Sequence, residues 1–126
     1  MISCFSTDHS LKGKKLLIQN KTNIYFIDLE DILLIKRVER KSCLVCKNAV
    51  YESWQPLKDI IAHLPSRYYI QSHKSYIVNM IHIEEIELQA ACTYNINFKD
   101  STVKALLSKS NYPKLMAHLT LKDSQG

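Results

Sequence analysis

The stretch SHKSYIVNMIHIEEI, Ser72 to Ile86, mixes two kinds of sequence. A hydroxyl-rich opening with His73 and Lys74 runs straight into apolar residues, and Asn79 stands among them. Two readings account for the mixture. It is either a core segment with a decorated edge or a loop that presents donors to a ligand from a rigid scaffold. The sequence on both sides has to discriminate between them.

Upstream, short apolar runs alternate with polar turns. KKLLIQN, Lys14 to Asn20, reads as a strand; KTN then turns into the strand IYFI, and DLEDI at 28–32 suits a turn or one helical turn. LLIKRVER reads as a strand and Lys41 opens another through Val45, with an imperfect alternation that leaves the register open. AVYESW, 49–54, is a third short strand. Trp54, Leu57, Ile60, Ile61 and Leu64 then keep one helical face, with Ser53 as the cap, Pro56 at an early position and Pro65 closing the helix. Downstream, IHIEEIEL (Ile81 to Leu88), YNINF (94–98) and TVKALL after the turn KDS make an antiparallel meander. A last helix carries Tyr112, Leu115, Met116 and Leu119 at spacings of three and four. The expected fold is mostly β, with several small antiparallel sheets and two or three short helices over residues 14–120. A flexible N-terminal tail (1–13) and a C-terminal tail (121–126) flank it. Such a scaffold offers many loops for binding.

Size and composition agree with one domain. The chain has 126 residues, 46% of them apolar, with only two Gly and three Pro, which is a globular composition. Lys and Arg outnumber Asp and Glu by 17 to 12, a formal charge of +5, and this balance favours polyanionic partners. No apolar run is long enough to span a membrane, and MISCFSTDHS is too short and polar for a signal peptide. A cytoplasmic domain is expected. Cys4, Cys43, Cys46 and Cys92 then read as reduced, small hydrophobic residues. CLVC at 43–46 has redox spacing, but on a strand residues three apart face opposite sides. A zinc site needs three or four converging ligands, and no spacing in the sequence ties His73, His82 or Cys92 to this pair.

Catalytic patterns are missing from the sequence. Ser72, His73 and Ser75 lie near Asp59, but no glycine-flanked nucleophile elbow accompanies them. Gly13 and Gly126 cannot form a phosphate-cradling loop. Neither an enzyme nor a cofactor is expected. Basic residues instead gather in three places: KRVERK at 36–41, Arg67 leading into YYIQSHKS, and Lys104, Lys109 and Lys114 around the last helix. For any single lysine, a solvated face is the plain alternative. Taken together, these are loop clusters that could supply phosphate and base contacts.

RYYIQSHKSYIVNMIHIEEI also resembles the signature of the LytTR family of bacterial DNA-binding domains, a basic or aromatic lead followed by His-x-Ser-x-x-Val-Asn and an Ile. Those positions are His73, Ser75, Val78, Asn79 and Ile83. IYFIDLEDILLIKRVERKSCLV resembles the family's opening and VKALLSKSNYPKLM its ending, so the likeness runs from about Lys14 to Leu119. It implies a compact β fold that enters successive major grooves with loops, regulates transcription at paired or repeated double-stranded DNA sites, and forms a homodimer on DNA in some arrangements. Most members follow a receiver domain, so the chain reads as a stand-alone member or an excised domain of a response regulator.

The resemblance places DNA contacts on three loops. Ser42 falls on the first, beside Arg40 and Lys41; Lys74 falls on the second, between His73 and Ser75 and ahead of a short helix; Ser108 and Lys109 fall on the third, at the start of the last helix. Lys109 stands where the family usually has Arg, and an ammonium lacks the two-pronged grip of a guanidinium. Pro113 is a second departure, tolerated best if the helix starts near Ser110 or Asn111. Plain readings stand beside these: His73 packed to fix its loop, Ser75 capping a turn, Asn79 tying backbone groups at a turn. The competing hypothesis is a protein-interaction module whose basic face meets an acidic partner.

Overall fold

Apolar residues of both parities along one strand decide the architecture. The computed structural model describes residues 11–88 and 93–120. Ten strands and two helices occur among them: β1 Lys15–Gln19, β2 Ile24–Asp28, β3 Ile32–Val38, β4 Lys41–Cys46, β5 Val50–Ser53, α1 Leu57–Ile61, β6 Tyr69–His73, β7 Tyr76–Asn79, β8 Ile83–Glu87, β9 Thr93–Phe98, β10 Lys104–Ser108 and α2 Tyr112–Thr120. All pairings are antiparallel. A five-stranded sheet, order β5-β4-β3-β7-β6, lies at the centre; β1-β2 and β10-β9-β8 form separate sheets. The mostly β expectation, with small antiparallel sheets and short helices, matches this architecture.

The central sheet is buried on both faces. Ile32, Ile35, Leu44, Cys46, Tyr69 and Ile77 pack with the β1-β2 hairpin and with Leu57, Ile60 and Leu64. Leu33, Leu34, Val45, Val78 and Met80 pack on the other side with Ile96, Phe98, Leu107 and Leu115. Four consecutive buried residues, Ile32 to Ile35, would defeat simple alternation. The β3-β4 register shifts between Ile32 and Leu34, and a bulge there sends one pair to each face. That shift is the physical source of the imperfect period in the sequence.

Asn79 joins the layers. It is fully buried, and its Nδ2 donates to the Ile32 carbonyl at 2.9 Å and to the Tyr69 hydroxyl at 3.2 Å. Its Oδ1 accepts the Ile81 N–H at 3.3 Å. The Tyr69 hydroxyl in turn donates to the Leu29 carbonyl. A buried amide must be satisfied on both ends, and here it welds β7 to the turn before β3. The same acceptor closes a 3-10 turn over Met80–His82, so β8 begins at Ile83 rather than at Ile81.

Several expectations need correction. Trp54 is not on a helical face: it is 66% exposed, and α1 begins only at Leu57, with Pro56 in the capping position. Proline holds the residue before it out of helical geometry, which detaches Trp54 and Gln55 from the helix. Ser53 ends β5, and its Oγ accepts the Gln55 N–H at 3.1 Å instead of capping α1. Leu11, placed in the N-terminal tail, is buried in the core; Gly13 at φ 77° gives the turn that returns the chain. The expectations for residues 1–10 and 121–126 and for Cys4 and Cys92 lie outside the described residues, as does the side chain of Leu119.

Cys43 packs against one core and Cys46 lies within the other. Three residues along a strand put their Cα atoms about 10 Å apart, beyond the reach of a disulfide. Burial, aided by the charge of Asp31, pushes the Cys46 thiol up to about 12, and the thiolate is the reactive form.

Two outcomes follow from this packing. Asn79→Ala is expected to lower unfolding free energy by about 2–4 kcal/mol in a denaturant titration, with the slope unchanged; a loss well under 1 kcal/mol would mean that water replaces the amide. Alkylation of the native protein at pH 8, mapped by mass spectrometry, should modify Cys43 long before Cys46. Equal rates would show that β4 opens readily.

Candidate nucleic-acid interface

Strand register brings the sequence-predicted loops to one end of the central sheet. Ser53 pairs with Ser42, and Ser42 with Arg37. The Arg37 N–H donates to the Ser75 carbonyl at 2.8 Å, which extends the same row into the neighbouring hairpin. Beyond this row lie the β3-β4 turn, Glu39–Arg40, and the β6-β7 turn, Lys74–Ser75. The commonest two-residue hairpin turns use a positive φ, and in the β3-β4 turn Glu39 supplies it at 56°.

The third loop reaches this end through β10. Ser72 sits where the β6-β7 register shifts, and its hydroxyl donates to the Leu106 carbonyl at 2.7 Å. That bond fixes β10 against β6. Gln71, His73, Lys74, Ser108, Ser110, Asn111 and Lys114 consequently line one open depression of about 380 Å³. Every lining residue is polar or basic and none is acidic. Such a surface suits an anion with many acceptor oxygens.

The turns are braced from behind. Gln71 Nε2 donates to the Lys74 carbonyl at 3.2 Å, and the Ser75 N–H donates to His73 Nδ1 at 3.1 Å. The His73 ring meets Tyr76 edge-on at 5.8 Å. Lys74 itself is exposed and has no carboxylate partner among the described residues. No helix follows it; the expected short helix is replaced by β7, and the 3-10 turn comes only after Asn79. At the third loop Ser108 Oγ accepts the Asn111 N–H at 3.2 Å. The Leu115 N–H then donates to the Asn111 carbonyl, so α2 starts at Tyr112 and Pro113 falls in its first turn, where its missing N–H costs nothing. Lys109 is exposed at the turn.

Ser42 does not face outward. It is fully buried; its Oγ donates to the Gln55 carbonyl at 2.6 Å and accepts from Arg37 Nη1 at 2.9 Å. Its place is to hold the loop from beneath, because a strand residue paired with Arg37 and Ser53 points into the sheet's covered side. Arg40 is exposed at the turn. Lys41 is half-buried, 3.1 Å from Glu52 and 5.0 Å from the Trp54 ring centroid. Sequence reasoning did not include Arg37, Gln71, Asn111 or Lys114 among the site residues. Lys114 stood in a counted basic cluster and Arg37 in KRVERK, but pairing across strands was needed to place them.

Comparison with known proteins gives the family and the fold. Residues 22–120 match the family model of the LytTr DNA-binding domain. The chain belongs to that family. LytTR domains as a class bind DNA to regulate transcription. The chain is 27% identical over 103 residues to the transcriptional regulatory protein NatR of Bacillus subtilis, a match covering 82% of this chain and 44% of NatR. It is 33% identical over 76 residues to the sensory transduction protein LytT of Enterococcus faecalis, covering 60% of this chain and 31% of LytT. It thus spans less than half the length of these relatives. The solved structure of a LytTr DNA-binding domain from Bacillus cereus has the same fold, with a TM-score of 0.73 at 16% identity over 84% of this chain and 96% of that one. Among the described residues no helix is long and apolar enough to cross a membrane.

His73 gives this LytTR domain a pH signature. Its Nδ1 accepts a backbone N–H, which requires the neutral ring with its proton on Nε2. Burial, then the charge of Lys74, lowers its pKa below the ordinary value. A folded pKa below the unfolded one stabilises the turn at pH above about 6.5, and this is lost as pH falls through the lower folded value. In an NMR titration His73 should protonate below its usual range, with the Ser75 amide shift moving in step. Titration above about 6.5 would contradict the bond.

Proposed function

We propose that this domain binds double-stranded DNA with sequence specificity and regulates transcription in the bacterial cytoplasm. The two hairpin turns and the β10-α2 turn enter the major groove, at paired or repeated sites where two copies can sit side by side. The observation that carries the reading is the gathering of the β6-β7 and β10-α2 turns around a depression lined by no acidic residue, with the β3-β4 turn beside them at the same end of the central sheet. The family match and the overall charge of +5 support it.

Roles follow from exposure and bracing. Lys74 projects from a turn clamped on both sides, the posture required to reach a base edge. Arg40, Lys109 and Lys114 are exposed cations placed to meet phosphates. Lys41 contributes after exchanging or sharing its Glu52 contact. His73, Ser75 and Ser108 set turn geometry and offer secondary hydrogen bonds, and Ser42 acts through the Arg37–Gln55 support.

Selection from a random duplex pool at low salt is the direct test. An enriched motif is expected, and a pool that stays random while binding persists would leave a non-specific polyanion or protein-binding face. On the selected duplex, Lys74→Ala should cost about 1–3 kcal/mol and affect random DNA less. Lys109→Ala should weaken both duplexes alike and lower the salt slope by roughly one unit. Unchanged affinity of K74A on every duplex would remove the β6-β7 turn from the interface.

A further inference from the structure

Trp54 is the largest side chain that the core leaves unused. Its indole is 66% exposed, and Val38 nearby is 46% exposed. Lys41 lies between them: it pairs with Val38 across β3-β4 and holds its ammonium 5.0 Å from the Trp54 ring centroid. The backbone beside the indole is rigid. Gln55 gives its carbonyl to both Ser42 Oγ and Arg37 Nη1, and its N–H to Ser53 Oγ. Trp54 is therefore not on a loose loop; it stands in solvent on a bracket of three hydrogen bonds, two of them partly buried.

The bracket lies on the row that defines the binding edge. Ser53, Ser42 and Arg37 pair in sequence, and Arg37 bonds to Ser75. Trp54 follows Ser53 at the outer end of that row, past the β3-β4 turn. A flat apolar ring, a small apolar side chain and a cation side by side match the flank of a duplex, where sugar and thymine methyl surfaces adjoin phosphates. The cation and the continuity with the basic edge favour DNA over an apolar partner.

We infer that Trp54 is a further DNA-contact residue, laying its indole on the sugar or thymine-methyl surface at the flank of the site while Lys41 meets the adjoining phosphate. This rests on the DNA-binding reading of the same edge and extends the interface to β5. The Lys41–Glu52 pair keeps the cation aimed over the ring in the free protein, so the two side chains act as one unit.

The chain has a single tryptophan, so its emission reports on this residue alone. Titration of the full chain with the selected, dye-labelled duplex gives two readouts, anisotropy for binding and tryptophan emission for burial. Emission should shift and acrylamide quenching should fall in parallel with anisotropy. Trp54→Ala should weaken the selected duplex about tenfold, Trp54→Phe less, with thermal unfolding little changed because the ring is outside the core. The effect of W54A should shrink in a Lys41→Ala background. Binding by anisotropy with unaltered emission and quenching, and W54A equal to wild type, would overturn the proposal and leave the DNA reading intact. No anisotropy change with any duplex would sink both. The wild-type emission needs no variant to fold.

Discussion

The pairing of β3 with β7 is the contact on which the alignment of the basic turns depends. Each hairpin, β3-β4 and β6-β7, could form its own two-residue turn locally. Only when Arg37 donates to the Ser75 carbonyl do the two turns come to lie side by side. That pairing is long-range in sequence and offers few backbone bonds, since three register pairs join the strands. Its strength comes from packing. Leu34, Ile35, Ile77 and Val78 are all essentially buried where the strands meet, and cross-strand apolar pairs of this kind are the unit of sheet stability. The Asn79 amide, bonded to the Ile32 carbonyl, locks the far end of the same pair.

Polar groups beneath the surface carry as much of the site's shape as those on it. Ser42, Ser72 and Asn79 are buried, and each hydrogen-bonds a backbone carbonyl on another element. Buried hydroxyls and amides cost free energy unless satisfied. Being satisfied, they specify which segments meet. Ser72 shows how: its bond to Leu106 holds β10 against β6, and the depression shared by Lys74, Ser108 and Lys114 lies where those strands touch.

Much of this was legible in the sequence, for identifiable reasons. Short alternating runs gave β1, β2, β9 and β10, because one face of each is wet and the other dry. The final helix was legible from Tyr112, Leu115 and Met116 at helical spacing. Opposed faces for Cys43 and Cys46 followed from strand period alone. Trp54 misled because its spacing to Leu57 imitates a helical face, while Pro56 between them forbids one. Ser42 misled because a hydroxyl in a basic stretch looks the same in sequence whether it faces solvent or the core. The row Ser53–Ser42–Arg37–Ser75 was out of reach, since it joins residues from four separate segments and depends on register that the bulge at Ile32/Leu34 resets.

The clamped turn at Lys74 has a consequence for how such a domain changes over generations. Lys74 is exposed and belongs to neither core cluster, while the residues around it, Gln71, His73 and Ser72, are committed to neighbours. A replacement at the tip therefore changes the exposed chemistry of the turn with little penalty to folding, typically within about 0.5 kcal/mol for an exposed site. Arg40 at the tip of the β3-β4 turn enjoys the same freedom. Surface chemistry and foldability are thus written in different residues, and a lineage can rewrite one while keeping the other.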